Sequence, residues 1–391
     1  MNILYISHEK DLNGASLSLL GLIDELIKDN KIYVLTPYKN GAFVEELKKR
    51  DLKIVKTKYF RWTTINTDNY LIMVLSWIIS LFASYILNYI AAIKLKFILE
   101  KYNIEIIHSN VSVLNIGCIL SKICHIPHVQ HIREFVEEDF GWRFVPSKKV
   151  ATKIISSHSS AVIAVSKAIA NKYENYIESD KITVVYNGIS TKFAYLKTKL
   201  SEIKGANLLL TGRLSEAKGQ KEAVLALAKV IKEKKNTNIN LHFAGKGDNK
   251  YEEELRKLIV DLGLEGNVFF LGNVKDMYLI RKSMDIELVC SRAEAFGRVT
   301  VEAMLCSLPV IGANTGGTTE LIKNGYNGFL YQQGNSDDLA SKILLFLEDK
   351  SLILKLGENA FESVKDKFTI EKNATFICNI YKNILTKCKS L

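Results

Sequence analysis

The chain has 391 residues, of which 48% are hydrophobic, with only 4 prolines and 22 glycines. This length and composition suit two domains with sizeable cores and exclude fibrous and low-complexity proteins. The formal net charge of +11 suits a phosphate-bearing substrate or an anionic lipid surface. We expect no nucleic-acid partner, because the charge is spread along the chain without a nucleic-acid-binding motif.

The cysteines and the N-terminus indicate the compartment. Six cysteines form no Cys-x-x-Cys pair, so neither a zinc ribbon nor a disulfide framework is indicated. The N-terminus reads as a strand followed by a loop, without a basic n-region or a cleavage site. We therefore predict a cytoplasmic protein with reduced thiols.

In the first half of the chain, apolar segments alternate with helical patterns, which is typical of a parallel α/β sheet. The predicted strands are 3–6, 32–36, 54–57, 104–108, 128–132, 161–165 and 182–186. The loop after the first strand contains Asn13 and Gly14 and leads into a helix. Gly14 would let the backbone approach a phosphate closely, although an Asn-Gly turn also suits a purely structural role.

Residues 71–93 form a run without a charge that is long enough to span a bilayer. Spanning is disfavoured because the strand 104–108 has to join the first sheet directly afterwards. A helix here would have a broad apolar face and one narrow polar seam, formed by Ser76, Ser80, Ser84 and Asn88. Two interpretations stay open: a helix buried against the sheet, or a helix in an anionic membrane interface between basic flanks. We favour the second, which predicts a peripheral protein at the inner face of the cell membrane.

Three histidines, His125, His128 and His131, lie in or near the strand 128–132. Side chains alternate between the faces of a strand, and His131 comes close to its end. Several of them together could form a metal site. We instead expect His125 and His128 to pack or to face water, and we predict no bound metal.

The second half repeats the α/β pattern after a turn signal at Asn187 and Gly188. The polar segment 192–205 is predicted to be a linker, and a helix is predicted from about 369 to the end. Further strands are predicted at 208–211, 240–244, 268–271, 286–289 and 309–312.

Two cations, Arg213 and Lys218, follow the strand 208–211. Sheets of this class place ligands at the carboxyl ends of their strands. Arginine offers a fork for two phosphate oxygens and lysine a point charge. Either could separately be a solvated loop cation; together they indicate a phosphate site.

Glu294 and Glu302 stand in the run Glu-Ala-Phe-Gly-Arg-Val-Thr-Val-Glu. Gly297 breaks the helical pattern, so Glu294 is predicted on a loop and Glu302 about one turn inside the following helix. The free N–H groups at a helix start favour an anion such as phosphate. Two carboxylates around such a site suit a nucleotide-sugar, which has hydroxyls on both sides of its diphosphate. One such pair also occurs by chance in charged chains, so the interpretation depends on Arg213 and Lys218.

These segments, together with the turn Gly316-Gly317-x-x-Glu320, resemble the retaining glycosyltransferases of family 4. The resemblance spans essentially the whole chain and is more specific in its second half. It implies an α/β GT-B fold, with two Rossmann-like domains facing each other across a cleft. The acceptor domain would be 1–190, the nucleotide-sugar domain 205–368, and the last helix, about 369–391, would cross back onto the first domain.

The resemblance also implies residue roles. Its catalytic positions are Glu294 and His131, both contacting the donor sugar. Its donor-binding positions are Gly14, Arg213, Lys218, Phe296, Gly297, Arg298 and Glu302.

Within that set, Arg213 and Lys218 would hold the diphosphate, and Glu302 would bind the ribose. Glu294 would act together with the backbone N–H groups of residues 296–298. Arg298 would either add charge near the phosphates or cap the loop.

The chain departs from the family at two positions. Asn13 replaces the first glycine of the usual pair, and Ile132 stands where an aspartate often follows the histidine. Arg133 and Glu134 are therefore candidates for acceptor recognition.

The implied reaction is transfer of a hexose, with retention and without a metal, from a nucleotide-sugar to a hydroxyl of a glycan or lipid-linked acceptor. UDP is favoured over GDP, no cofactor is expected, and the setting would be surface-polysaccharide or glycolipid synthesis. No Asp-x-Asp motif is present to hold Mg²⁺ or Mn²⁺.

Three other classes of protein share parts of this pattern. A GT-B sugar-nucleotide 2-epimerase would use the same phosphate contacts without an acceptor. A non-catalytic partner protein is disfavoured because all four charged positions are present. A nicotinamide dehydrogenase would need Gly-x-Gly-x-x-Gly after the first strand, which is absent.

Overall fold

The computed structural model describes residues 1–67, 69–192, 194–199, 205–235 and 238–389. The chain divides into two compact units, Met1–Gly188 with Ile370–Leu391 and Ile189–Thr369. Residues 193 and 200–204 of the predicted linker lie outside the described residues. The described part of that segment packs on the second unit, where the Lys197 ammonium is 3.1 Å from the Asp285 carboxylate.

The first unit is built on a parallel sheet of buried apolar strands, as expected when helices cover both faces of a sheet. Its described strands are β1 Asn2–Ile6, β2 Lys31–Thr36, β3 Lys53–Lys56, β4 Thr63–Ile65, β5 Ile106–Ser109, β6 His128–Ile132, β7 Trp142–Phe144, β8 Ala161–Ala164 and β9 Ile182–Val184. The sheet order is β3-β2-β1-β5-β6-β8-β9. Strands β4 and β7 form a separate antiparallel ribbon that we did not predict, since three residues are too few to show a periodicity.

The helices of the first unit connect these strands. In chain order they are α1 Gly14–Leu26, α2 Ala42–Lys49, α3 Tyr70–Phe82, α4 Asn88–Lys101, α5 Ile116–Cys124, α6 Glu137–Phe140, α7 Lys148–His158 and α8 Lys167–Tyr173. A π-helical turn, Ala83–Leu87, joins α3 to α4.

The second unit has its own parallel sheet. Its described strands are β10 Ala206–Thr211, β11 Ile239–Ala244, β12 Val268–Gly272, β13 Ile286–Val289, β14 Val310–Ala313 and β15 Gly328–Tyr331, in the order β12-β11-β10-β13-β14-β15. We did not predict β15, whose first residue is a glycine. The helices are α9 Gln220–Lys234, α10 Asn249–Asp261, α11 Met277–Ser283, α12 Arg298–Met304, α13 Thr318–Leu321, α14 Ser336–Glu348 and α15 Ser351–Val364.

The last helix, α16 Ile370–Lys389, belongs to the first unit. It packs along α1, and its buried Ile377 and Tyr381 join the apolar core that also contains Leu19 and Leu22 of α1. The core of the second unit is a separate cluster formed by its strands with α9, α10, α14 and α15.

Both sheets reverse their strand order once, between β1 and β5 in the first unit and between β10 and β13 in the second. Ligands of open α/β sheets bind outside the carboxyl ends of the strands at such a reversal. The loops after β1, β10 and β13 carry Gly14, Arg213 with Lys218, and Glu294. The fold thus places the predicted residues at the positions where sheets of this class bind ligands.

The uncharged stretch 71–93 forms α3, the π-helical turn and the start of α4. It is not buried against the sheet: the Leu71 and Leu75 side chains are 78% and 59% exposed. The polar seam has the opposite environment, since Ser84 and Asn88 are buried against the unit. Among the described residues, Tyr70–Lys101 is the one helix long and apolar enough to cross a membrane, judged by length and composition.

Candidate active site

The centre of the site in the second unit is an ion pair between Lys218 and Glu294. The Lys218 ammonium is 2.8 Å from the Glu294 carboxylate and 3.3 Å from the Ser291 hydroxyl. Lys218 ends a short 3₁₀ turn, Glu216–Lys218, after β10, while Ser291 and Glu294 follow β13. Adjacent strands of the sheet therefore bring together two residues that lie 76 positions apart in the sequence.

Two glycines set the path of the Glu294 loop. Gly297 precedes α12 with φ +93°, a conformation that L side chains rarely adopt. Gly317 lies against the loop: its N–H donates to the Glu294 carbonyl at 2.6 Å, and a Cβ there would come within 2.8 Å of the Ala295 and Phe296 carbonyls. The turn Gly316-Gly317 therefore holds the backbone that carries Glu294.

Arg213 follows Gly212 at the end of β10 and is exposed. The Arg213 carbonyl accepts a hydrogen bond from the buried Gln220 side chain at 3.0 Å, which fixes the backbone of this loop. In the described part of the chain, no carboxylate pairs with the Arg213 guanidinium. A free guanidinium in this loop is available for a bidentate contact with phosphate.

Glu302 lies one turn into α12, as predicted, and two arginines hold its carboxylate. Arg281 contacts one oxygen at 3.1 Å, and Arg298 contacts the other at 2.8 Å as an i, i+4 pair. The Arg298 side chain therefore pairs with Glu302, and its expected role, a charge near the phosphates or a cap of the loop, stays a prediction. These two contacts fix the orientation of the Glu302 carboxylate, and its predicted contact with the ribose stays a prediction.

Arg281 and Glu287 extend the charge cluster around Glu302 and were not predicted from the sequence. Both are fully buried, and the Arg281 Nε is 3.0 Å from a Glu287 carboxylate oxygen. The attraction of Glu287 and Glu302 holds the pKa of Arg281 above its usual range, although burial opposes this. One signal was available: Glu287 is a charge inside the apolar strand Ile286–Val289, and a buried charge needs a partner.

Phe296 stabilises the loop from inside. Its ring is buried and packs edge-to-face on Phe368, with centroids 5.5 Å apart. The predicted use of the backbone N–H groups of residues 296–298 stays a prediction. The Glu320 side chain follows Gly317 in the first turn of α13.

In the first unit, Gly14 is the first residue of α1 and is exposed. Asn13 caps this helix: its side-chain oxygen accepts from the N–H groups of Ala15 and Ser16, both at 3.0 Å. The Ser16 hydroxyl in turn accepts from the Asn13 N–H at 2.7 Å. Asn13, where the family usually has a glycine, thus forms a complete capping box with Ser16. Its side chain occupies the N–H groups of Ala15 and Ser16, which could otherwise bind a phosphate.

His131 lies in β6 and is fully buried. Its Nδ1 is 3.2 Å from the His108 Nε2 and 3.2 Å from an Arg133 guanidinium nitrogen. Its Nε2 is buried and has no hydrogen-bond partner among the described residues. Burial lowers the pKa of His131 and of His108 well below the usual range, so both are neutral.

Two family models match the chain. The model described as "Glycosyltransferase Family 4" matches residues 12–193, and "Glycosyl transferases group 1" matches residues 196–363.

The chain belongs to the glycosyltransferase family that these models describe.

Known relatives agree with this assignment. N-acetyl-alpha-D-glucosaminyl L-malate synthase of Bacillus anthracis is 30% identical over 59% of this chain and 62% of its own length. The UDP-Gal:alpha-D-GlcNAc-diphosphoundecaprenol alpha-1,3-galactosyltransferase of Escherichia coli is 26% identical over 73% of this chain and 76% of its own. Anabaena HepE, solved in complex with UDP-glucose, is 26% identical with a TM-score of 0.77, and the alignment covers 100% of each chain.

Other predicted residues of the glycosyltransferase have internal partners. Glu134 is buried and accepts from the N–H and the hydroxyl of Ser112 at 2.6 and 2.7 Å. The Arg133 guanidinium bonds to Asn110 and Asn187 in addition to His131. The Glu134 carboxylate is therefore turned into the fold. This differs from the expectation that Glu134 takes part in acceptor recognition.

His125 and His128 contribute to the local structure of the first unit. His128 is buried between the hydroxyls of Ser109 and Ser159, at 2.9 and 3.0 Å. His125 ends α5 in a left-handed conformation. Within the described residues, no three His, Cys, Asp or Glu side chains are grouped as metal ligands.

Proposed function

We propose that this glycosyltransferase moves a hexose from a UDP-sugar to a hydroxyl of a glycan or lipid-linked acceptor, with retention of configuration and without a metal. The observation that carries the proposal is the cluster after β10 and β13. There the Lys218 ammonium lies 2.8 Å from the Glu294 carboxylate, and the Arg213 guanidinium projects from the same loop as Lys218. A sugar and its leaving phosphate need a carboxylate and cations side by side in this way.

The chemistry is the transfer of one glycosyl group. The bond from the anomeric carbon to the diphosphate oxygen breaks, and a bond from the same carbon to the acceptor oxygen forms on the same face. The acceptor proton goes to an oxygen of the departing UDP. Arg213 and Lys218 stabilise the charge that grows on that diphosphate, Glu294 holds sugar hydroxyls, and Glu302 binds the ribose.

The relatives support the finer parts of the proposal. The E. coli relative is named for a UDP-Gal donor and a diphosphoundecaprenol-linked acceptor, and HepE was solved with UDP-glucose. Both names favour UDP, and the lipid-linked acceptor in the name of the E. coli relative favours a role in surface-polysaccharide or glycolipid synthesis. We propose further that the enzyme lies in the cytoplasm, peripheral to the inner face of the cell membrane, where a lipid-linked acceptor would be accessible.

Incubation with radiolabelled UDP-sugars and a membrane extract tests the reaction. We expect label in a glycan or lipid product, and loss of that transfer in Glu294→Ala while UDP binding persists. Conversion of the UDP-sugar to its 2-epimer without an acceptor would instead show the rival epimerase activity. A product of inverted anomeric configuration would overturn the retaining mechanism.

A further inference from the structure

The segment Tyr70–Lys101 carries an apolar stripe that faces outward from the first unit. Side chains of this outer stripe are between 50% and 78% exposed, and they follow one another at intervals of three or four residues from the start of α3: Leu71, Leu75, Ile79, Phe82 and Ile86. Phe97, near the end of α4, is 70% exposed. Ile90 and Ile93, each 46% exposed, lie between Ile86 and Phe97 at the same spacing, so the stripe continues from α3 along α4.

The polar seam of the same segment faces the protein. The Ser76 hydroxyl is 2.6 Å from the Thr64 hydroxyl. The Asn88 side chain accepts from the Phe60 N–H and donates to the Phe60 carbonyl, both at 2.8 Å, and also donates to Asn115 at 2.7 Å. An amphipathic helix of a soluble protein turns its apolar face inward; here the arrangement is reversed, so the outer stripe needs an apolar partner.

The surrounding charge identifies that partner. Residues 52–99 contain six basic residues and one acidic residue, Asp68. The exposed Lys58 and Arg61 precede the stripe, and the exposed Lys94 lies within α4. A symmetric contact between two copies would bring the same cations together, whereas anionic headgroups would neutralise them.

We propose that the outer stripe is the docking surface for an anionic bilayer, with α3 and α4 lying in the plane of the interface. Spanning is incompatible with the contacts of the seam, which tie the segment to the first unit at Thr64, Phe60 and Asn115. Strand β5, which begins at Ile106, then returns directly to the sheet between β1 and β6. This inference rests on the proposed function only for its purpose, the delivery of a lipid-linked acceptor.

Sedimentation with vesicles tests the docking surface. The full chain is mixed with phosphatidylcholine vesicles that contain or lack phosphatidylglycerol, at low and high salt. We expect co-sedimentation with the anionic vesicles and weaker binding at high salt. Leu75→Asp/Phe82→Asp should reduce binding at least tenfold, because it places two charges in the stripe.

The control is Val260→Asp/Phe376→Asp, which changes side chains that are 59% and 62% exposed outside the stripe and should leave vesicle binding unchanged. UDP binding is measured on all variants, so that a failed donor site is distinguished from a failed docking surface. The proposal is overturned if the parent stays in solution with anionic vesicles at low salt. It is also overturned if the parent is a dimer that Leu75→Asp/Phe82→Asp separates, since a second copy then covers the stripe.

The ring of His131 belongs to a buried chain of hydrogen bonds in the first unit. The Tyr5 hydroxyl is 2.9 Å from the Tyr381 hydroxyl, the Tyr381 hydroxyl is 2.6 Å from the His108 Nδ1, and the His108 Nε2 is 3.2 Å from the His131 Nδ1. Each of these groups can donate or accept, so the chain as a whole could run in either direction.

Arg133 removes that ambiguity, because a guanidinium can only donate. Its nitrogen lies 3.2 Å from the His131 Nδ1, which must therefore be an acceptor. His108 then donates through Nε2, Tyr381 donates to the His108 Nδ1, and Tyr5 donates to Tyr381. The reverse direction would set the Arg133 N–H against an N–H of His131.

We infer that Arg133 is a positioning residue that fixes His131 as the Nε2–H tautomer. The His131 Nε2 is the buried atom that has no partner in the described part of the chain, so His131 offers a donor there. A sugar hydroxyl oxygen or a phosphate oxygen suits such a donor, and His131 does not act as a base at this atom. The inference deepens the proposed function, because it gives the chemical character of the donor-sugar contact that the family resemblance implies for His131.

Imidazole nitrogen NMR of the ¹⁵N-histidine protein tests this order without substrate. We expect His131 and His108 both to carry the proton on Nε2, with signals assigned through His131→Gln and His108→Gln. Arg133→Met should add a population with the proton on the His131 Nδ1. Tyr5→Phe should change neither tautomer, because it removes the hydroxyl to which Tyr381 would donate in the reverse direction alone.

The double variant Arg133→Met/Tyr5→Phe should restore the Nε2–H form, since the reverse direction then lacks its last acceptor. An Nδ1–H signal for His131 in the parent protein would overturn the inference, whatever the folding of the variants. Donor hydrolysis and transfer are not needed for this measurement, so its failure is independent of a failure of the proposed reaction.

Discussion

At the scale of single residues, the site consists of charges whose partners determine their tasks. Glu302 is held by Arg281 and Arg298, and Glu294 pairs with Lys218. Arg213 projects from its loop into solvent. Glu302 and Glu294 are therefore oriented by their partners, whereas the Arg213 guanidinium is available to the phosphates of the proposed donor.

Arg213→Ala is expected to weaken UDP binding by about 1.5–3 kcal/mol, the usual worth of a hydrogen bond to a charged group. Isothermal titration calorimetry with UDP measures the change. Arg256→Ala is the control, because Arg256 is an exposed arginine of the same unit that pairs with Glu252 on α10. Equal affinity of Arg213→Ala and the parent would contradict the phosphate assignment.

The buried carboxyl of Glu134 is expected to make the free energy of unfolding depend on pH. Burial raises the pKa of its carboxyl from 4.5 to about 7, so between these values the folded state binds more protons than the unfolded state. The free energy of unfolding therefore falls as pH rises through this window, by about 3 kcal/mol from this group. Urea unfolding at pH 5 and pH 8 should show Glu134→Gln gaining that amount relative to the parent, and a constant difference would refute the prediction.

At the scale of elements, the segment Tyr70–Lys101 is anchored by its polar residues and exposes its apolar ones. Its amphipathic pattern predicts a helix but not which face turns inward. The hydrogen bonds of the buried Asn88 side chain to both backbone groups of Phe60 and to Asn115 decide this, because they hold the polar seam against the first unit.

Asn88→Ala should therefore destabilise the first unit by about 3 kcal/mol, since it leaves the Phe60 backbone groups and Asn115 without that partner. Ser80→Ala, on the same seam but only half-buried, should change stability by less than about 0.5 kcal/mol. Chemical denaturation of the two variants compares them. A loss in Ser80→Ala as large as that in Asn88→Ala would show that the seam does not anchor through Asn88.

At the scale of the whole molecule, two α/β units each present ligand-binding loops at the reversal of their strand order. The second unit supplies two cations, Arg213 and Lys218, at one such position. Because these can balance the charge of a diphosphate, a divalent cation has no evident task in the proposed reaction.

Transfer activity is therefore expected to survive EDTA. The assay compares initial rates with labelled UDP-sugar before and after chelation, and then after addition of Mg²⁺ or Mn²⁺. UDP binding under the same conditions is the control for damage to the protein. A loss of activity that Mn²⁺ specifically restores would contradict the proposed metal-independent reaction.

The sequence by itself determined the α/β class and most strands of both sheets, because apolar periodicity is a local property. The glycosyltransferase family followed from the resemblance of its loop motifs, which are also local. It also placed Glu294 on a loop and Glu302 inside a helix, since Gly297 marks the boundary between them. The ribbon β4–β7 was missed because its three-residue strands have no periodic signal, and β15 was missed because it begins at a glycine.

Only the tertiary structure decided which distant groups meet. Arg281 and Glu287 lie apart from the recognised motifs, yet their burial makes them partners of one another and of Glu302. The inward turn of the polar seam and the direction of the Tyr5–Tyr381–His108–His131 chain depend on contacts between residues far apart in sequence. Hydrogen bonding and desolvation act between neighbours in space, so no local pattern along the chain contains them.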